Sequence, residues 1–159
     1  MMGRGTKTVE FNYEEIKEAI RESSTDSAIY IGADSQRFAV RGTMMAAYVT
    51  VVIIHHGSKH GGSMFKQVRI ERDYGQIRYR LMNEVMMASE TAMELTDVIG
   101  DRPFEIHLDI SPNPDNKSSS VIKEAIGYIK GTIGIDPVVK PDAFAASTIS
   151  DRFTKKVRV

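Results

Sequence analysis

Cysteine is absent from this 159-residue chain. There is therefore no disulfide, no thiolate metal ligand and no thiol nucleophile. The absence fits a reducing, intracellular setting. Net charge is also missing, because 21 basic residues balance 21 acidic ones. A neutral total gives no support to a generic polyanion binder, yet acids can gather in a site while bases line its rim. Long hydrophobic runs are missing too. The longest, "MMAAYVTVVII" at 44–54, is about half of the ~20 residues a membrane-spanning helix needs. The opening "MMGRGTKTVEFNY" has no apolar stretch of the secretory kind. A cytoplasmic protein without membrane contact is expected, with a short mobile tail over residues 1–8. What is present is ordinary for a folded protein: 42% hydrophobic and 26% charged residues, in a length that suggests one domain over 1–159.

Periodicity orders the chain. Asn12 and Glu15 have capping-box spacing, and Tyr13, Ile16 and Ile20 follow at helical intervals. "AIYIGA" (28–33) reads as a strand buried on both faces. A second strand runs to about Ile54, with Arg41-Gly42 as a hairpin turn or bulge before it. "HHGSKHGG" is a loop, and "SMFKQVRIER" (63–72) alternates as a third strand, completing an antiparallel meander. A long helix follows over 73–100, with Ile77, Leu81, Val85, Ala88, Ala92, Leu95 and Ile99 on one stripe, Asp73 able to cap its start and Gly100 its end. "PFEIHLDI" (103–110) is a fourth strand, 120–131 a helix closed by Gly131, and "PVVK" (137–140) a fifth strand. A last helix spans 141–156, with Pro141 and Asp142 at its start. The expected fold is α/β: a mixed five-stranded sheet, meander plus parallel strands, with helices on both faces.

Two apolar strands deliver an aspartate, Asp34 in "YIGADSQ" and Asp109 in "HLDISPNPDN". Each could start a turn. If the two strands run side by side in the same direction, however, the acids come together. On the long helix, Glu84 lies about 60° from Leu81 and borders the buried stripe, while Glu90 and Glu94 point to solvent. Asp142 is a natural helix cap, and Asp151 lies on the same predicted helix. Carboxylates from several elements suit hard cations such as Mg²⁺ or Mn²⁺. Two such ions about 4 Å apart can hold an attacking water and a leaving oxygen of a phosphodiester.

Strand-Asp, meander, helix-Glu, strand-Asp and helix-start Asp, in that order, resemble the ribonuclease H-like superfamily. More narrowly, "IGADSQ", "HLDISPNPDNKSS" and "PDAFAASTISDRFTK" are similar to the YkuK-type family of predicted ribonuclease H-like nucleases. The resemblance covers about residues 28–155. It implies a ribonuclease H-like fold, a nucleic-acid substrate and a divalent-metal site at Asp34, Glu84, Asp109 and Asp142, with Asp151 competing for the last role. The alternative is a catalytically inactive nucleic-acid-binding or protein-interaction module on the same fold.

The remaining features have plainer explanations. His55, His56 and His60 match no standard zinc spacing. His107 shares a strand face with Asp109 and could orient an acid, contact a phosphate, or be a satisfied strand histidine. Asn113, Asn116 and Lys117 belong to a turn-rich loop that could touch substrate, and Ser118–Ser120 can cap a helix. Lys66, Arg69, Arg72, Arg78 and Arg80, and separately Lys155, Lys156 and Arg158, could meet phosphates or form a solvated face. Met82, Met86, Met87 and Met93 read as packing material.

Overall fold

The first helix begins where its capping spacing predicts. Asn12 accepts a hydrogen bond from the Glu15 N–H at 3.2 Å, and α1 (Tyr13–Glu22) buries Ile16 and Ile20. The computed structural model describes residues 8–56, 61–110, 119–139 and 142–145. The expected tail therefore lies outside the described residues except for Thr8. So do His60, Asn113, Asn116, Lys117, Asp151 and the basic C-terminus.

β1 (Ala28–Val40) does not end at Asp34. It continues through six more residues and pairs antiparallel with β2 (Thr43–His55) along its whole length. The two meet at a two-residue turn in which Arg41 (φ 50°) and Gly42 (φ 81°) are both left-handed. Two positive φ angles match the right-handed twist of the strands, and glycine adopts one of them at no steric cost. β3 (Gly62–Arg72) adds antiparallel to β2. β4 (Phe104–Leu108) adds parallel to β1 on the other side, giving the order β3-β2-β1-β4.

The sheet has four strands among the described residues, not five. The segment expected as a fifth strand makes one parallel bridge, Val138 to His107. Val138 donates to the Ile106 carbonyl at 2.8 Å and accepts from the Leu108 N–H at 2.9 Å. Pro137 precedes it and has no N–H to extend the ladder, and β4 offers only five residues to pair with.

α2 (Ile77–Ile99) starts four residues later than Asp73. Gln76 is its N-cap without a side-chain cap bond. Asp73 instead turns inward and is engaged by arginines, as described below. α3 (Ser119–Ile133) runs through Gly131 and ends at Gly134, whose N–H bonds back to Lys130 and Ile129.

Alternation assigns the two faces of the sheet. Ile29, Ile31, Ala33, Val52, Ile54, Ile106 and Leu108 join buried residues of α1, α2 and α3 in one core. The three helices described in full thus cover the same face. Ala47, Val49, Val51 and Val68 form a smaller apolar cluster on the opposite face. The helix expected at 141–156 lies outside the described residues apart from its first few.

Candidate functional site

The parallel register aligns the two segments up to the residue before each aspartate. Ala33 is opposite Leu108, and β4 pairs with β1 no further. One residue beyond that last pair, β1 carries Asp34 and the chain after β4 carries Asp109. Asp34 is the seventh residue of a thirteen-residue strand, so it forms no turn there. Aspartate is disfavoured within strands. Its presence in mid-strand, where the neighbouring strand stops, calls for a cause other than turn formation.

Glu84 approaches from the helical side. It is 5% exposed, as its position beside the buried stripe of α2 predicts. The Ser35 hydroxyl donates to Glu84 Oε2 at 2.7 Å, while the Ser35 N–H donates to Asp34 Oδ1 at 2.8 Å. Burial holds the Glu84 carboxyl well above its ordinary ionisation range. The Ser35 hydrogen bond works against that, the Asp34 charge adds to it, Arg80 opposes it, and Asp109 adds again. The charges of Asp34 and Asp109 thus both act on Glu84, with Arg80 as the opposing cation. Glu90 and Glu94 point outward, as expected, and pair with Arg69 and Lys17.

Asp142 is exposed. Its N–H donates to the Val139 carbonyl at 3.0 Å, in a turn that follows the Val138 bridge. Helix is assigned only from Ala145, so Asp142 is not at the helix boundary where its sequence context placed it.

The donor chemistry fits a hard divalent cation: carboxyl oxygens from three elements, two of them one residue past the last pair of a parallel ladder. The side chains as they stand are not gathered around one. Among the described residues no group of three or more His, Asp or Glu is arranged to hold a metal ion. Ser35 engages Glu84 through its hydroxyl and Asp34 through its backbone. Ser35 was overlooked in the sequence because "ADSQ" reads as a turn.

The basic cluster is largely committed to neighbours. Arg69 pairs with Glu10 and Glu90, Arg78 with Glu124, and Arg72 lies over the Tyr74 ring. Arg37 Nε bonds Asp73 Oδ2 at 2.6 Å, and Arg80 is 4.0 Å from its other oxygen. Asp73 is almost fully buried, and that second oxygen has no hydrogen-bond partner. Arg37→Ala is therefore expected to destabilise the fold by about 1–3 kcal/mol, the cost of stranding a buried polar group. A urea-unfolding midpoint that does not move would show that Arg80 alone suffices. Of the methionines, Met87 is buried while Met86 and Met93 are about half exposed. His55 is exposed and has no metal-binding cluster around it among the described residues.

Comparison with known proteins follows the same outline. A family model described as Ribonuclease H-like matches residues 12–155. A curated protein of Bacillus subtilis (strain 168), named Uncharacterized protein YkuK, is 27% identical over 158 residues, covering 89% of this chain and 88% of its own length. No solved structure gives a significant match. No helix among the described residues is long and apolar enough to cross a membrane.

Proposed function

The chain belongs to the ribonuclease H-like family, and on that premise we propose that it is a divalent-metal-dependent nuclease acting on RNA, DNA or their hybrid. The observation that carries the reading is the parallel β1–β4 register, whose last pair immediately precedes Asp34 on one strand and Asp109 on the other. Glu84, buried and under the influence of both charges, supplies a third carboxylate. Asp142, on the turn beyond Val138, is the fourth candidate.

Asp34, Glu84, Asp109 and Asp142 would hold Mg²⁺ or Mn²⁺. Bound there, the ions would activate a water against phosphorus and stabilise the departing 3′-oxygen. The chain's own contribution is positional. Strand β1 fixes Asp34 through pairing with β2, the end of β4 fixes Asp109, and the helix–sheet interface fixes Glu84. Ser35 would release Glu84 Oε2 as the carboxylates turn inward.

A second reading has one observation on its side. Among the described residues the carboxylates are not arranged around an ion as they stand, and an inactive nucleic-acid-binding or protein-interaction module would need no such arrangement. Titration of Mn²⁺ into the protein by calorimetry separates the two, with cleavage of labelled RNA, DNA and hybrid followed in the same preparation. Saturable binding with metal-dependent cleavage is the expected result. Nucleic-acid binding without either would favour the module.

A further inference from the structure

His107 is fully buried in β4, two residues before Asp109. Valines and isoleucines fill comparable positions of the sheet, so a histidine here has a polar task. Its Nδ1 accepts two backbone hydrogen bonds, from Phe144 N–H at 3.0 Å and Ala145 N–H at 3.2 Å. Only an unprotonated ring nitrogen accepts, so the ring proton belongs on Nε2, which lies 2.8 Å from Glu105 Oε1. The tautomer follows from the bonding network, and both ring nitrogens are then used. The two N–H groups sit where helix is first assigned, a place where backbone donors lack partners within the helix. His107 receives them from another element, a task the sequence assigns to a capping side chain such as Asp142.

The same short segment is fastened to β4 at a second point. Val138 exchanges hydrogen bonds with Ile106 and Leu108, and the Val139 carbonyl accepts from Asp142 and Ala143. The ring of Phe144 meets His107 edge-on at 4.5 Å and Tyr30 at 4.8 Å. Ala143 and Ala145 are buried on either side. Asp142 thus lies between two attachments to the strand whose end carries Asp109.

We propose that His107 is a positioning residue: by clasping the Phe144 and Ala145 backbone through Nδ1, it sets the Asp142 turn against the end of β4 and so fixes Asp142 relative to Asp109. The proposal rests on the reading of Asp142 and Asp109 as ligands of one metal site. His107 itself touches neither metal nor substrate.

Three substitutions separate this role from simple packing. In His107→Asn the side-chain oxygen can occupy the place of Nδ1. In His107→Gln a polar group reaches only the place of Nε2. His107→Leu keeps bulk and no acceptor. Amide hydrogen exchange at Phe144 and Ala145 reads the clasp, with Ile31 in the central strand as the reference for an intact fold. Calorimetry with Mn²⁺ reads the consequence. The Leu and Gln variants are expected to lose protection at 144 and 145 and to bind Mn²⁺ about 10–100-fold more weakly, the usual cost of losing a residue that orients ligands. The Asn variant is expected to recover most of both. A packing role would instead favour Leu or Gln over Asn, and that order overturns the proposal. So does wild-type Mn²⁺ affinity in a variant whose 144 and 145 amides exchange freely. If Leu fails to fold, the Asn and Gln pair decides the same question. If the wild type itself binds no Mn²⁺, the metal reading is what fails, and exchange at 144 and 145 still decides the clasp.

Discussion

Asp109→Asn is expected to abolish metal-dependent cleavage while leaving the protein folded. Asparagine has nearly the same shape and makes the same turns. The substitution therefore removes one negative charge and little else. Asp109 sits one residue past the last β1–β4 pair, as Asp34 does on β1. If both hold a cation, losing either should lower cleavage by about 10²-fold or more, the scale on which removal of one electrostatic contact to the transition state is felt. Mn²⁺ affinity should fall with it, and the thermal midpoint without metal should move little. Asp34→Asn makes the sharper control, because Asp34 lies inside a continuous strand and has no turn to form. Wild-type cleavage in both variants would leave the two acids without a catalytic role. Loss in Asp34→Asn alone would return Asp109 to a turn residue ahead of its Ser-Pro.

The second large effect concerns Glu84, and its sign depends on pH and metal. Burial first, then the charges of Asp34 and Asp109, keep its carboxyl protonated well above the ordinary value of 4.5. Below about that pH the group is protonated in both the folded and the unfolded chain and affects stability little. As pH rises past it, the unfolded chain releases the proton while the folded chain retains it. The folded state then binds more protons, so stability falls with rising pH until the folded group also ionises. Above that point the penalty is complete and constant. Glu84→Gln removes this penalty and keeps an oxygen to accept the Ser35 hydroxyl. The metal-free variant is expected to match the wild type in acid and to melt a few degrees higher at pH 8, the shift that about 1 kcal/mol produces in a chain of this size. Saturating Mn²⁺ should reverse the order, because only a protein that binds the ion in its native state gains from it. Thermal melts of both proteins across pH, with and without Mn²⁺, read all of this. A Gln variant that is less stable at every pH without metal would show that Glu84 is a satisfied anion, and would remove it from the metal site.

Much of this was legible in the chain itself, and the errors share a cause. The α1 cap, the Arg41-Gly42 turn, the stripe of α2 and the place of Glu84 beside it are local patterns. They involve residues within a few positions of one another, so sequence alone specifies them. Asp34-Ser35 also looks like a local pattern, and there the sequence misleads. The strand continues because β2 folds back and pairs with every residue through Val40. Gly131 looked like a helix end for the same reason, yet α3 continues across it to Ile133, where Gly134 follows. "PVVK" is strand-like in composition but shrinks to one bridge, because Pro137 and a five-residue neighbour leave little ladder to join.

The sequence by itself determined which acids exist, their order along the chain and the elements that carry them, since those follow from side-chain chemistry and period. Only the tertiary structure decided how the segments that carry them are aligned. The β1–β4 register aligns the segments that lead into Asp34 and Asp109, helix packing buries Glu84, and the ring nitrogen of His107 fastens a segment thirty-seven positions away. Each of these is a hydrogen-bonded or packed contact between distant residues, and such contacts come into being only when the chain closes on itself.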